Sequence, residues 1–149
     1  MISHASFQEQ VINNLVDWTA DPLNDAIVPA AEIRESQYQG TEFTYPNIRV
    51  DVRTQVPEGA GNCRTKISIE NFAVAGYSEG DSSLECERVC FQIGEAMFGA
   101  QLEDTPTPAQ GPAWRTETVN LVQYNAPRRL TEKVWRGEVI FRCRVKETS

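Results

Sequence analysis

Two stretches of period-two alternation, separated by one turn, constrain this chain more than any other feature. Ile48, Val50, Val52 and Val56 alternate with Arg49, Asp51, Arg53 and Gln55. Cys63, Thr65, Ile67 and Ile69 alternate in the same way with Arg64, Lys66, Ser68 and Glu70. Successive side chains of a strand point to opposite faces, so each run reads as a strand with one buried and one wet face. Pro57-Glu-Gly-Ala-Gly-Asn62 between them is turn-forming, and its glycines permit positive φ. The two runs therefore read as a β-hairpin with a longer loop.

Helical signals flank this hairpin. Ser6-x-x-Glu9 is a capping-box pattern followed by Phe7, Val11, Leu15 and Trp18 at helical spacing, which predicts a helix from Phe7 to about Trp18. It should stop before Asp21-Pro22, because a proline disfavours helical backbone in the residue before it. Residues 22–46 are punctuated by Pro22, Pro29, Gly40 and Pro46, with room for a short edge strand from Ile33 to Tyr38. Ser82-x-x-Glu85 opens a second helix that Gly99 can close. Its core stripe is Cys86, Val89, Cys90, Ile93 and Met97. Leu84, Phe91 and Phe98 form a second apolar stripe on nearly the opposite side, one that either packs on the first helix or the 22–46 segment or contacts another subunit. After a loop over 104–113, Arg115 to Tyr124 and Lys133 to Val145 read as two further strands, joined by Asn125–Thr131. In the last of them Val139, Phe141, Cys143 and Val145 face one way. The order helix, hairpin, helix, hairpin predicts an α+β fold: a mainly antiparallel sheet of four to five strands with two helices packed on one face. The length of 149 residues suits a single domain, 1–149.

No apolar run approaches the ~18 residues of a membrane helix, and the first residues lack the basic-then-apolar pattern of a signal peptide. Reduced thiols are then the default for Cys63, Cys86, Cys90 and Cys143. The net charge of −7 is distributed in blocks: −6 over residues 1–47, +1 over 48–78, −6 over 79–104 and +4 over 105–149. Alternating blocks of this kind either form solvated faces or pair with other copies of the chain across an interface.

The residues offer little for catalysis. The one histidine, His4, falls in a segment expected to fray, whereas a triad base has to be held by packed neighbours. Cys86-x-x-x-Cys90 places two thiols on one helical face. Cys63 and Cys143 would complete a zinc set only if their strands converged beneath it, so the cysteines read as small core hydrophobes; neither metal nor cofactor is expected. Glu85, Glu87 and Glu95 read as exposed helix residues, and the chain carries no GxGxxG or GxxxxGK[ST] phosphate cradle. Arg49, Arg53, Arg64, Lys66, Arg136, Arg142 and Arg144 outnumber Asp51, Glu70 and Glu138 on the polar sheet face. Without stacking aromatics, that face suits an acidic helix of a neighbouring subunit better than a single-stranded nucleic acid.

The stretch Tyr45-Pro-Asn-Ile-Arg-Val50, then Thr54-Gln-Val-Pro-Glu-Gly59 and the strand through Ile69, resembles the central hairpin of phage tail-terminator proteins, the minor tail protein U group and related tail-completion proteins. The acidic helix after Ser82, the long loop and the final hairpin ending in Trp135-Arg-Gly-Glu-Val-Ile-Phe141 follow in the same order. The resemblance implies a non-enzymatic virion protein, made in the host cytoplasm. Six copies would commonly form a ring that caps the tail tube and offers a docking surface to the head connector or stopper, with DNA passing through the ring. A neck adaptor or stopper is the neighbouring alternative, marked by a long inserted loop for which only 100–113 is a candidate. A small enzyme or ligand-binding domain is the alternative of another class. Candidate interface residues are Glu58 in the first hairpin loop (58–62), Leu84, Phe91 and Phe98 on the second helix, and Arg128 and Arg129 in the second loop (127–131).

Overall fold

The computed structural model describes residues 2–37, 44–57 and 66–148. The elements run α1 (His4–Thr19), β1 (Ile33–Glu35), β2 (Asn47–Pro57), β3 (Ile67–Glu79), α2 (Leu84–Met97), β4 (Glu103–Asp104), β5 (Trp114–Thr116), β6 (Asn120–Arg129) and β7 (Val134–Glu147), with 3-10 turns at Pro22–Asn24, Ala30–Glu32 and Pro108–Gln110. The α+β class is as expected, but the sheet is larger and mixed. Seven strands take part in the order β1-β2-β3-β7-β5-β4, β6 also pairs with β7, and β1 lies parallel to β2. β1 falls within the edge strand expected from Ile33 to Tyr38 and does lie at the sheet edge, whereas β4, with two residues, is too short to show a period in the sequence.

The central pair is β3 with β7, in continuous antiparallel register from Ile67↔Lys146 to Glu79↔Val134. The expected strand from Arg115 to Tyr124 is two strands, β5 and β6, which pair in succession along the same edge of β7. β6 continues to Arg129, so the second hairpin loop shrinks to Leu130–Lys133. A register shift between Asn125 and Arg128 accommodates Pro127, which cannot donate to the ladder.

The first helix begins one turn earlier than its sequence signal. Ser3, not Ser6, is the N-cap: the Ser6 amide donates to Ser3 Oγ at 3.3 Å. His4 is thus helical rather than frayed. Ser6 is buried and joins α1 to the far end of the sheet, donating from Oγ to Asp104 Oδ2 at 2.6 Å and accepting from Trp114 Nε1 at 2.8 Å. Phe7, Val11 and Leu15 form the buried stripe of α1, and Phe7 packs edge-on against Phe72 with ring centroids 5.4 Å apart.

The second expected strand has its faces exchanged. Ser68 and Glu70 lie on the helix-covered side with Phe72 and Val74, whereas Ile67 and Ile69 are only partly buried on the other. A strand's period is two, so Phe72 and Val74 fix the phase of everything before them. A register shift between Val52 and Thr54 similarly turns Val56 outward, where it is half exposed. α2 rests on a glycine pair: Gly76 and Gly137 are register partners, and a Cβ on them would lie 2.6 Å from Val89 Cγ1 and 2.5 Å from Cys90 Sγ. The absence of side chains at these two positions lets the helix come down onto the sheet. Gly99, at φ 76°, ends the helix as expected.

Candidate functional site: an apolar groove and a basic hairpin tip

The stripe of Leu84, Phe91 and Phe98 stays largely exposed, with Phe91 alone meeting α1 and the 22–46 segment across a groove. These side chains are 53%, 57% and 66% exposed along the outer side of α2. Phe91 forms one wall of a groove of about 390 Å³ whose other apolar walls are Trp18, Leu23 and Ile27, with Asp25 and Glu95 at the rim. Leu23 is 91% exposed, yet local hydrogen bonds hold it in place. Asp21 Oδ1 accepts from its amide at 2.9 Å, Asn24 Nδ2 donates to the Trp18 carbonyl at 2.9 Å, and Asp25 turns the chain at φ 52°. Gln92 fixes the next segment to α2, accepting from the amides of Ile27 and Val28 at 2.8 and 2.9 Å and donating to the Val28 carbonyl at 3.1 Å. Burying a leucine or phenylalanine is worth about 1.5–3 kcal/mol, so an exposed platform of this kind is a surface suited to an apolar partner.

The other sequence-selected residues sit at the far end of β6. Arg128 and Arg129 are strand residues rather than loop residues, because β6 runs through both. The Arg129 guanidinium lies 5.3 Å from the centroid of the Trp135 ring, and Trp135 Nε1 donates to the Gly80 carbonyl at 3.0 Å. Arg128 stands opposite Arg136 in register. Arg136 is held by Glu138 Oε2 at 2.7 Å and by Tyr77 Oη at 3.0 Å, and Arg53 reaches the same carboxylate oxygen at 2.7 Å. Burial alone would raise Glu138, but Arg136, Arg53 and Asn125 outweigh it and hold the carboxyl below its usual range. Leu130, 46% exposed, caps this tip. Glu58, with the rest of the 58–62 turn, lies outside the described residues.

On the helix-free face, Arg115, Arg142, Arg144 and Lys146 form a basic strip, with Glu117 3.5 Å from Arg144. Its composition differs from expectation: Arg49 is buried, Arg64 lies outside the described residues and Arg115 joins the strip. Among the described residues no three potential ligands gather as a metal site, and Cys86, Cys90 and Cys143 are buried free thiols. The neighbouring Cys86 thiol and burial push Cys90 well above the usual thiol range, and burial pushes Cys143 up to about 12. No described helix is long and apolar enough to cross a membrane. The sequence offers the first helix and the 22–46 segment as neighbours of Phe91, and the groove supplies the individual residues, Trp18, Leu23 and Ile27. An isolated leucine inside Asp-Pro-Leu-Asn-Asp was the available signal.

No protein-family model matches the chain, and no curated protein does. Among solved structures, the chain is similar to one from the virion of a native gene transfer agent particle. The TM-score is 0.68 at 14% identity, over 95% of this chain and 96% of that one. At that identity the likeness establishes a shared fold across the whole chain.

Proposed function

We propose that this chain is a structural subunit of a tailed-phage-like particle, and within it a tail terminator: a ring that caps the tail tube and provides the surface for joining to the head. The whole-chain likeness to a virion protein of a gene transfer agent particle, 95% against 96% coverage, carries this reading. The sequence resemblance to tail-terminator proteins over 45–70 and in the order of later elements points the same way. A ring of this kind works through shape and closure, which agrees with exposed apolar and charged surfaces as the most prominent features of the molecule.

One observation favours a terminator over an adaptor or stopper. The 100–113 segment, the only candidate for a channel-threading insertion, is folded against the body. Asp104 accepts from Ser6, and a Cβ on Gly111 would lie 3.4 Å from Ser3 Cβ. Purified protein added to growing tail tubes should arrest elongation and remain as a cap at one end in electron micrographs. Tubes that lengthen normally, with no density at either end, would refute the terminator role.

A further inference from the structure

The groove on α2 and the tip of the β6–β7 hairpin match each other in apolarity and in charge. The groove presents Leu23 and Phe91, and its lining carries Asp25 and Glu95 with one cation, Arg88. The tip presents exposed Leu130 with the exposed arginines Arg128 and Arg129, while Lys133, next to Glu132, lies beside Glu79, Asp81 and Glu85 of its own subunit. Arg128 has no ion-pair partner among the described residues, and its cross-strand neighbour is another arginine. Like charges directly opposite in a sheet repel, so an incoming carboxylate at this end relieves a repulsion as well as forming an attraction.

α1 packs over β1 and β2 and also touches β4, α2 lies over β3 and β7, and β6 pairs with the other edge of β7. The groove opens between α2 and the Pro22–Asn24 turn, whereas the tip lies beside the start of α2, where the Gly80 amide donates to the Lys133 carbonyl at 2.8 Å. A contact between two different patches is head-to-tail, the kind that closes into a ring when its rotation closes.

We propose that the groove of one copy receives the hairpin tip of the next copy, with Leu130 seated against Leu23 and Phe91 and with Arg128 and Arg129 facing Asp25 and Glu95. This contact rests on the ring reading above and names its chemistry. Leu84 and Phe98 flank the groove along α2 and extend the covered surface.

A reciprocal charge exchange tests it on the full-length chain. Asp25→Lys/Glu95→Lys reverses the groove, and Arg128→Glu/Arg129→Glu reverses the tip. Each variant alone should self-associate at least about tenfold more weakly than the wild type at low salt, because like charges then meet at both ends of every contact. An equimolar mixture should assemble again, since each variant's groove now suits the other's tip, and native mass spectrometry should find the two chains in equal numbers. Melting curves of the separate variants identify any loss of fold. Wild-type rings combined with a mixture that stays dispersed, or with either single variant assembling normally, would overturn the contact and leave the ring reading standing. A wild type that remains a single chain under every condition, tail tubes included, would overturn both.

Discussion

Gly137 carries the sharpest stability prediction, because the distance involved is short and its partner is one atom. A Cβ at this position would lie 2.5 Å from Cys90 Sγ and 3.4 Å from Pro127 Cγ. Non-bonded heavy atoms ordinarily sit about 3.5–4.0 Å apart, so Gly137→Ala forces α2 and β7 apart by roughly 1 Å. Overpacking of this kind costs about 1–3 kcal/mol. Replacing a strand glycine by alanine returns roughly 0.4–1 kcal/mol through the unfolded chain where the backbone is compatible. The net expectation for Gly137→Ala is a loss of about 1–2 kcal/mol. Cys90→Ala alone removes a buried sulfur and should cost about 1 kcal/mol. In the double variant the new methyl occupies space the sulfur has left, so the two effects should not add. Urea unfolding of the four proteins should give a favourable coupling of about 1–2 kcal/mol. Additive losses, or a neutral Gly137→Ala, would refute the close approach of α2 to the glycine pair.

Four further outcomes follow from the side chains already described. Burial raises Glu70 above its ordinary value, with a hydrogen bond from Gln55 offsetting part of the effect, so ionising it in the folded state costs stability. Stability attributable to this group is full below the ordinary carboxylate range and falls as pH rises through the raised folded value, and Glu70→Gln should flatten that fall in urea titrations. Glu138 is shifted downward, so its contribution is present above the ordinary carboxylate range and lost as pH falls through its folded value; Glu138→Gln should cost about 1 kcal/mol near neutrality, a figure discounted because Arg53 is half exposed, and should cost nothing measurable in strong acid. Arg128→Glu/Arg129→Glu should shift the thermal melt by no more than about 0.5–1 kcal/mol, the worth of the exposed stacking on Trp135, while impairing assembly. Cys86, Cys90 and Cys143 should resist a thiol reagent in the native protein and react fully in urea, with elemental analysis finding no stoichiometric zinc; fast native labelling of all three would contradict their burial.

Helices and long strands were legible because their periods repeat several times. The stripe of Phe7, Val11 and Leu15 and that of Cys86, Val89, Cys90, Ile93 and Met97 are buried as their spacing requires. The alternation of Val139, Phe141, Cys143 and Val145 is likewise obeyed. What failed was phase and continuity. Glu70 went inside because Phe72 and Val74, later in the same strand, outweigh a glutamate in deciding which face is buried. The position of Ser3 as the cap depends on Ser6 being drawn inward by Trp114 and Asp104, both about a hundred residues away. Pro127 is a loop signal in the sequence, yet an edge strand with a bulge tolerates it. Of the surfaces, Leu84, Phe91 and Phe98 are visible in the sequence as a stripe whose partner is either the first helix or the 22–46 segment or another subunit. The groove is not, because Trp18, Leu23 and Ile27 meet Phe91 only after the 22–32 segment folds back through Gln92.

Closure of this chain into a ring is best tested by native mass spectrometry of the purified protein across salt concentration. One sharp oligomer is expected, six copies by the family resemblance, and it should loosen as salt rises because exposed charge pairs are screened within about 8 Å at physiological ionic strength. If the protein alone does not close, the same oligomer should appear on isolated tail tubes. A single chain under all of these conditions, or an open-ended series of ever longer assemblies, would contradict closure into a ring.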